Sequence, residues 1–492
     1  MEHQSLWQKT ALISDKFPAM HSDVICDAVV VGAGLTGVLT AWKLQKQGLD
    51  VVVLDSGTPG QGATALTTAK ITALHGFIYS NLITSHGIEL AKLYFRANQS
   101  AIEHYSDLIH SENIPCDFQR VDCFLYARSA SSNIQKEKDA LTAIGESLHI
   151  TTDTQLPFPV SSAIKIENQA VFHPLKFLYA LLPHLRVYKN STVTKISDNK
   201  VITDRAVVIA KHIVIATRYP FFLFPGLFFS RMHQERSYAL SITNVPRMKD
   251  MYIDAENNGI TFRPWNEQVI LGGFSHRTGH TPIQNGYDTL QLCAQHWYPE
   301  CKPTAQWSTE DCIPAEQIPY IGSFKHGRAQ VHVATGFQKW GISSAMVAAE
   351  ILTDSIFGRS NTFSSLFTPH RFPGIKAMGR ILHNGLISSG NLAKQIFFVP
   401  RAKLHHIPPG HGGIVQWNGR KTGVFHREDG TYYFVSPRCP HMGCQLTWNQ
   451  AELSWDCPCH GSRFNYNGKR LDPPSAKNLP CNCHKTQKKR AD

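Results

Sequence analysis

The stretch D-A-V-V-V-G-A-G-L-T-G at residues 27–37 places three glycines with the spacing G-x-G-x-x-G directly after a β-branched run. A helix-like stretch continues to Gln47, and a second β-branched run, Val51 to Leu54, ends at Asp55. A strand, a glycine turn and a helix in this order bring backbone N–H groups and the positive end of the helix towards a pyrophosphate. A carboxylate about twenty residues further on is typical of ribose binding. The stretch predicts a Rossmann-type α/β domain that binds a dinucleotide through Gly32, Gly34, Gly37 and Asp55.

The region after the second strand distinguishes between the two common dinucleotides. NAD and FAD both use this fold, and an aspartate at position 55 is more often seen with NAD. Residues 62–70, G-A-T-A-L-T-T-A-K, resemble the flavin-contacting loop of the D-amino-acid oxidase and glycine oxidase family. Thr67 and Thr68 depart from the Asn and Ala that this family often has. The resemblance implies that FAD is the cofactor, with contacts from Gly62, Thr64, Thr67 and Thr68.

Further segments follow in the order that this family has. Residues 191–196 resemble the strand whose backbone near Val193 meets adenine, and V-I-A-T at 214–217 resembles the strand end that brings Ala216 near the cofactor. Residues 311–322 resemble the D-x-x-P-x-I-G segment. Residues 331–341 lead into an apolar helix, whose positive N-terminus would stabilise reduced, anionic flavin. The resemblance assigns cofactor contacts there to Gly336, Trp340 and Gly341.

A second cofactor site is predicted nearer the C-terminus, where C-P-H-M-G-C at residues 439–444 is followed by C-P-C-H-G-S at residues 457–462. One Cys and one His from each hexapeptide fit a [2Fe-2S] cluster held by two thiolates and two imidazoles. The predicted ligands are Cys439, His441, Cys457 and His460. Tetrahedral zinc also accepts a Cys2His2 set, so a zinc ribbon and a disulfide-only module are the alternatives. The two hexapeptides taken whole favour the iron–sulfur cluster.

These hexapeptides resemble the Rieske family, in particular the branch found in cytochrome bc complexes. That branch has a disulfide between its two loops, which the resemblance assigns to Cys444 and Cys459. In the same branch Ser462 would donate a hydrogen bond to a bridging sulfide and so raise the reduction potential. Phe464 stands where high-potential members have a tyrosine. We therefore expect a potential below the top of the Rieske range.

Length and composition are those of an ordinary globular protein with two to four domains. The net charge of +12 is partly due to a basic C-terminal tail, and nucleic-acid binding through that tail is the less favoured interpretation, so we expect no nucleic-acid partner. The N-terminus lacks the apolar core of a signal peptide, and no run reaches about twenty apolar residues. We expect a cytoplasmic protein without a transmembrane segment.

The motifs predict the fold class and its boundaries. The fold is an α/β FAD-binding Rossmann-type domain with an antiparallel β-sheet substrate cap (α+β), followed by a small all-β Rieske domain. After an extension at 1–24, the FAD-dependent oxidoreductase module spans 25–360. Its FAD-binding segments are about 25–114, 167–227 and 308–360, and its cap is about 115–166 and 228–307. A connector at 361–405, the Rieske domain at 406–480 and a basic tail at 481–492 complete the chain.

Four polar side chains are candidates for catalysis. Lys70 would approach flavin N5 and His75 the edge of the flavin ring. His276 and Arg277 lie where a cap strand would face substrate, and Arg277 would bind a substrate carboxylate with two hydrogen bonds. A surface arginine at a strand end is the alternative for Arg277, and a core tryptophan is the alternative for Trp340.

The sequence contains no second dinucleotide fingerprint, so electrons are not expected to come from NAD(P)H. We predict an FAD-dependent dehydrogenase that oxidises a small-molecule substrate, an amine or an amino acid. The cluster would pass single electrons to an external acceptor, either a protein or a quinone. One rival function is an electron-transfer component between a ferredoxin or quinol and an oxygenase. Another is a redox sensor that uses Cys444 and Cys459 as its switch.

Overall fold

The structure is a computed structural model of the 492-residue chain. It describes residues 3–11, 16–130, 132–221, 226–256, 259–280, 285–326, 329–371, 374, 378–383, 385–387, 390–391, 400, 402–475 and 477–485. The chain folds into two compact units. Unit 1 comprises Met1–Gly226, Ser237–Ser275 and Gly286–Lys376, and unit 2 comprises Leu227–Arg236, His276–Asn285 and Ala377–Asp492.

The helices are numbered in chain order. They are α1 Leu6–Thr10, α2 Leu35–Lys46, α3 Ile78–His86, α4 Ile88–Ser111, α5 Ser132–Ala143, α6 Pro174–Leu181, α7 Phe228–Arg231, α8 Gly286–Trp297, α9 Gly341–Ile356 and α10 Ser364–Phe367. Single 3-10 turns occur at Leu182–His184 and Leu404–His406. Within the described ranges, no helix combines the length and the apolar character that crossing a bilayer requires.

The strands are numbered in the same way. The first seventeen are β1 Val24–Val31, β2 Val51–Leu54, β3 Lys70–Ile71, β4 Gln119–Ala127, β5 Ile150–Thr151, β6 Ser162–Val171, β7 Arg186–Tyr188, β8 Val193–Ser197, β9 Lys200–Thr203, β10 Val207–Ile215, β11 Met232–Thr243, β12 Met251–Asp254, β13 Thr261–Trp265, β14 Gln268–Arg277, β15 Lys302–Pro314, β16 Tyr320–His326 and β17 Ala329–Thr335. The last eight are β18 His411–Trp417, β19 Arg420–His426, β20 Thr431–Val435, β21 Thr447–Asn449, β22 Ser454–Asp456, β23 Arg463–Asn465, β24 Arg470–Asp472 and β25 Cys481–Lys485.

The first sheet of unit 1 is the predicted dinucleotide-binding sheet, and its main path runs β16-β17-β10-β1-β2-β7. Val30 on β1 lies opposite Val53 on β2 and Val214 on β10, and both pairings are parallel. These strands are β-branched and buried on both faces, as central parallel strands are. Helix α2 packs against α9, and the Lys43 amine lies 2.6 Å from the Glu350 carboxylate across that contact. The Rossmann-type prediction is confirmed.

The second sheet runs β15-β11-β14-β13-β12-β4-β6-β3, with β5 paired to β6. Most neighbours are antiparallel, but β4 and β12 are parallel, which the antiparallel cap of the prediction did not include. The sheet also extends past the predicted cap boundaries, because β6 runs to Val171 and β15 to Pro314, and Lys70 begins a further strand, β3. The ends of β11 and β14, Met232–Arg236 and His276–Arg277, belong to unit 2.

Unit 2 contains two four-stranded antiparallel sheets, β18-β19-β20-β25 and β21-β22-β23-β24. Residues 481–485 of the predicted basic tail instead form strand β25. This strand pairs with β20 and places Tyr433 opposite Cys483. Backbone hydrogen bonds along an open edge, rather than any apolar pattern, account for this strand. Residues 486–492 of the predicted basic tail lie outside the described residues. So do many residues between 372 and 401 of the connector predicted at 361–405.

A buried ion cluster joins the neighbouring strands β22, β23 and β24. The guanidinium of Arg463 lies 3.1 Å from the carboxylate of Asp456, 2.9 Å from that of Asp472 and 3.0 Å from that of Glu452. Its side chain is 7% exposed. Asp456 directly precedes the second cysteine hexapeptide, so this cluster fixes the strand from which that loop starts.

We predict that Arg463→Met destabilises the protein by about 3–5 kcal/mol, because the substitution leaves the carboxylates of Asp456 and Asp472 without their buried cation. Glu452 keeps a second cation, since Arg236 lies 3.9 Å away. Guanidinium unfolding of the full-length protein, followed by the visible absorbance of the bound iron, measures this loss. The matched control is Arg427→Met, which removes an exposed arginine whose pairing with Asp429 is 3.5 Å long and solvated. An equal loss of unfolding free energy in the two variants would contradict the stabilising role given to the Arg463 ion cluster.

Candidate functional site

The glycine turn after β1 leaves no room for a Cβ at Gly32 or Gly37. Gly32 has φ +108°, and a Cβ there would lie 2.5 Å from the carbonyl oxygen of Ala216. A Cβ on Gly37 would lie 1.8 Å from the carbonyl oxygen of Gly32. The turn is therefore in direct contact with the end of β10, and Gly37 lets helix α2 start against the turn.

The start of α2 leaves backbone donors available. Gly34 caps the helix without a side-chain hydrogen bond. Leu35 N–H donates to the Thr64 hydroxyl at 3.0 Å, while the N–H groups of Gly34 and Thr36 have no acceptor within the described part of the chain. Unsatisfied N–H groups at a helix N-terminus are the usual site of a phosphate. These residues fit the pyrophosphate of FAD.

Asp55 supports the turn from the end of β2. One carboxylate oxygen accepts from Ala33 N–H at 2.8 Å, and the other accepts from Gly57 N–H at 2.8 Å. Each carboxylate oxygen can accept a second hydrogen bond. The ribose role assigned to Asp55 stays a prediction, and the structure adds that the residue fixes the turn itself.

The loop predicted to contact flavin is held by buried donors that come from distant parts of the chain. Trp7 in α1 donates its indole N–H to the carbonyl of Thr67 at 2.7 Å, and Trp307 on β15 donates to the carbonyl of Leu66 at 3.0 Å. Arg263 on β13 is fully buried, lies 4.8 Å from the Trp7 ring and donates to the carbonyl of Phe172 at 2.7 Å. The sequence prediction missed these three residues.

Lys70 ends this loop, and its amine contacts two hydroxyl groups. Its amine donates to Thr68 Oγ1 at 3.0 Å and to Thr261 Oγ1 at 3.1 Å. Within the described part of the chain, no carboxylate lies within ion-pair distance of Lys70. Burial lowers the pKa of Lys70 to about 7. The side chain can therefore exchange a proton near neutral pH, which an exposed lysine cannot do.

His75 is buried with both ring nitrogens engaged. Nδ1 lies 2.9 Å from the hydroxyl of Tyr94, and Nε2 lies 2.7 Å from the carbonyl of Thr72. Its ring stacks on Trp340 at 4.4 Å with an interplanar angle of 8°. Burial lowers the pKa of His75 to about 3, so the ring is neutral. This geometry gives His75 a positioning role for Trp340, the residue that precedes α9.

The two cysteine hexapeptides form the same loop twice. In the first, Cys439 N–H donates to the Cys444 carbonyl and Gly443 N–H donates back to the Cys439 carbonyl, both at 2.9 Å. In the second, Cys457 pairs with Ser462 and Gly461 with Cys457 in the same way at 2.9 Å. Gly443 and Gly461 have φ +82° and +75°, which a residue with a side chain rarely adopts.

The loops bring the four predicted ligands together. The rings of His441 and His460 are 5.1 Å apart at 87°, and both Nδ1 atoms are buried without a hydrogen-bond partner among the described residues. Burial lowers the pKa of His441 to about 4 and that of His460 to about 3, so both are neutral, as ligands must be. A hydrogen bond from Cys457 lowers the pKa of Cys439 to about 7. This donor set fits a [2Fe-2S] cluster, because iron would satisfy both orphaned nitrogens.

Neighbouring side chains complete the cluster loops. Cys444 and Cys459 form the expected disulfide and are both buried. The hydroxyl of Ser462 bonds to Cys439 and accepts from Ser475 N–H at 3.0 Å. Trp455 and Phe464 are fully buried beneath the loops.

The structure divides the predicted site residues between the two units. Lys70, His75 and all predicted FAD contacts, including Gly62, Val193, Ala216, Gly336 and Gly341, lie in unit 1. His276 and Arg277 belong to unit 2, as do the cluster loops. The charge of Arg277 contributes to the lowered pKa of His460, which associates this arginine with the cluster ligand. Its substrate role stays a prediction.

We predict that Gly37→Ala abolishes FAD binding, because the new methyl group would occupy the position of the Gly32 carbonyl. The FAD content of purified full-length protein, read from its absorbance after denaturation, measures this loss. Gly57→Ala is the control, because its Cβ would meet only the Asp55 carboxylate at 3.8 Å. Full flavin loading of Gly37→Ala would contradict the assignment of the glycine turn as the FAD-binding site.

A second prediction concerns the cluster potential. Ser462→Ala removes a hydrogen bond to a ligand sulfur and should lower the potential by roughly 60 mV or more, the equivalent of about 1.4 kcal/mol for one electron. Phe464→Tyr should raise the potential, because it adds a hydroxyl under the loops. Redox titration followed by electron paramagnetic resonance measures both shifts. Potential shifts of the same sign in the two variants would contradict the view that these hydroxyl groups raise the cluster potential.

Comparisons with known proteins agree with the two sites. The family model described as FAD dependent oxidoreductase matches residues 27–355, and that of the Rieske [2Fe-2S] domain matches residues 398–487. The chain is 34% identical over 496 residues to the Rieske 2Fe-2S iron-sulfur protein YhfW of Bacillus subtilis (strain 168), covering 97% of each. Sixty-four residues are 39% identical to the cytochrome b6-f complex iron-sulfur subunit 1 of Nostoc sp., 13% of this chain and 36% of that protein.

Solved structures share the fold of the larger part of the chain. Glycine oxidase from Geobacillus kaustophilus superposes with a TM-score of 0.61 at 18% identity, covering 72% of this chain and all of that one. L-amino acid deaminase from Proteus vulgaris superposes with a TM-score of 0.59 at 14% identity, covering 74% of this chain and all of that one. At these identities the likeness concerns the fold alone. The length of the FAD-module match and the full-length relative show that the chain belongs to the FAD-dependent oxidoreductase family and carries a C-terminal Rieske [2Fe-2S] domain.

Proposed function

We propose that the protein is a dehydrogenase that oxidises a small amine or amino-acid-like substrate and delivers the electrons singly to an external acceptor. The observation that carries this proposal is the presence of two cofactor sites in one chain, one for FAD and one for a [2Fe-2S] cluster. FAD can accept two electrons from an organic substrate, and the cluster can release electrons one at a time. Solved proteins with the same fold are named glycine oxidase, L-amino acid deaminase and L-proline dehydrogenase, which supports the substrate class.

Lys70 is the residue that we assign to proton transfer. An amine must lose its ammonium proton before the adjacent carbon can give up a hydride, so a nearby proton acceptor is required. The neutral form of Lys70 can accept that proton, because burial lowers its pKa to about 7. Thr68 and Thr261 hold the amine in place through their hydroxyl groups.

Neighbouring residues lower the pKa of Lys70 towards neutrality. Arg263 adds a positive charge that lowers the Lys70 pKa further, although burial is the larger effect. Trp7 and Trp307 are themselves buried and donate to the carbonyls of Thr67 and Leu66 in the loop that leads to Lys70. The N-terminal helix α1 thus contributes to the site through packing rather than through chemistry.

The rival functions receive less support. A redox switch at Cys444 and Cys459 would need accessible sulfur atoms, and both residues are buried. An electron-transfer component without an organic substrate would not need an enclosed lysine with a lowered pKa. The cytoplasmic location expected from the sequence stays a prediction.

The proposal predicts a specific effect of Lys70→Met. Anaerobic screening of amines and amino acids with the FAD-loaded, full-length protein first identifies a substrate by bleaching of the flavin absorbance. With that substrate, the wild-type reduction rate should rise as pH increases through about 7, because Lys70 accepts a proton only when neutral. Lys70→Met should be about a hundredfold slower or more and should lack this rise.

Lys165→Met is the matched control, because the side chain of Lys165 on β6 is partly exposed and pairs with Asp122 and Glu167. It should retain the wild-type rate and pH profile. A Lys70→Met variant with an unchanged profile would remove Lys70 from the mechanism, and a screen without any flavin reduction would contradict the substrate class.

A further inference from the structure

The two imidazole ligands of the cluster differ in their surroundings within unit 2. His460 is 3% exposed, and the ring of Phe229 in α7 meets its ring edge-on at 5.8 Å. His441 is half-buried, and the next residue, Met442, is 42% exposed. One ligand is therefore enclosed, and the other is partly exposed.

The enclosure of His460 comes from two segments outside the Rieske domain, Leu227–Arg236 and His276–Asn285. Gln234 lies against Gly461, where a Cβ would be 1.2 Å from its side-chain oxygen. The backbone at Gly279 lies against Pro458, since a Cβ there would be 2.4 Å from Pro458 Cα. Thr278 N–H donates to the Gln234 carbonyl at 2.9 Å, so the two segments are joined to each other. Together they cover the second loop.

The first loop instead presents a small apolar tip beside basic side chains. Pro440 and Met442 are exposed. Arg438 is exposed with its guanidinium beside Gly443, and it forms no ion pair among the described residues. Lys421 reaches the same loop through a 3.0 Å hydrogen bond from its amine to Gln445. An apolar centre with a charged rim is typical of a small, transient protein interface, and its positive charge favours a partner of opposite sign.

We propose that residues 440–442, with Arg438 and Lys421, form the docking face for an acidic electron-carrier protein, and that His460 takes no part in that contact. In the transfer the reduced cluster loses one electron and the carrier gains it, and no atom moves. This inference rests on the proposed function, because it assumes that electrons leave the protein through the cluster.

The binding test uses full-length protein loaded with FAD and cluster, and two probe proteins, an acidic and a basic c-type cytochrome of similar potential. Calorimetry with both partners oxidised should show tighter binding of the acidic cytochrome, weakening as salt is added. Arg438→Glu and Met442→Glu should each weaken that binding by about tenfold or more. Arg427→Glu, a charge reversal of an exposed arginine at the β19–β20 turn, should change it by less than about twofold.

Iron content and the resonance spectrum of each variant show that its cluster is intact, and Met442→Glu gives a second reading if Arg438→Glu does not fold. Equal binding of the two cytochromes, or equal effects of Arg427→Glu and Arg438→Glu, would overturn the proposal. Rapid oxidation of the reduced cluster by a water-soluble quinone but by neither cytochrome would also overturn it.

A spectroscopic measurement tests the enclosure independently. After transfer to deuterated buffer, nuclear hyperfine spectra of the reduced cluster should show one imidazole N–H exchanging quickly and one protected. Phe229→Ala should make both exchange quickly, whereas wild-type protein with two fast protons would contradict the enclosure. Calorimetry uses the oxidised cluster, and dithionite reduces the cluster in the quinone and hyperfine experiments. None of these experiments needs an organic substrate, so failure to find one would count against the proposed function alone.

Discussion

The cluster site depends on a pair of backbone hydrogen bonds that occurs once in each cysteine hexapeptide. In each loop the first cysteine N–H bonds to the sixth residue, and the glycine N–H bonds back to the first. This closure turns the ligand side chains of each loop to the same side. Only a residue that tolerates positive φ can stand at the fifth position, which explains why glycine occurs there in both loops. The disulfide then joins the two loops, and the Arg463 ion cluster fixes the strand that leads into the second.

The flavin loop depends on a different principle, because its carbonyl groups are satisfied from far away along the chain. The donor of Trp7 lies 60 residues from its acceptor, and that of Trp307 lies 241 residues from its acceptor. Buried donors of this kind fix a loop that has no regular structure of its own. Lys70 lies shortly after these fixed carbonyls in the chain. Burial lowers the pKa of its amine to about 7, so the charged and the neutral form are both populated near neutral pH.

The parts of the fold that the sequence predicted are those encoded by contiguous residues. The glycine turn, its flanking strands and the two hexapeptides each contain their own spacing, and the structure forms them as predicted. Trp7, Trp307 and Arg263 were missed because their roles come from contacts across the fold, and no local pattern marks them. Strand β25 was missed because C-N-C-H-K is polar and its pairing uses the backbone alone. His276 and Arg277 sit at the end of a cap strand, but that end belongs to the cluster unit.

The indole contacts of Trp7 and Trp307 also determine when the flavin loop can form during synthesis. Helix α1 and the glycine turn precede β15 in the chain, so they leave the ribosome before β15 does. Until β15 has emerged, the Leu66 carbonyl lacks the hydrogen bond from the indole N–H of Trp307. The flavin loop can therefore complete its hydrogen bonds only after β15 has been synthesised, even though the glycine turn emerges earlier.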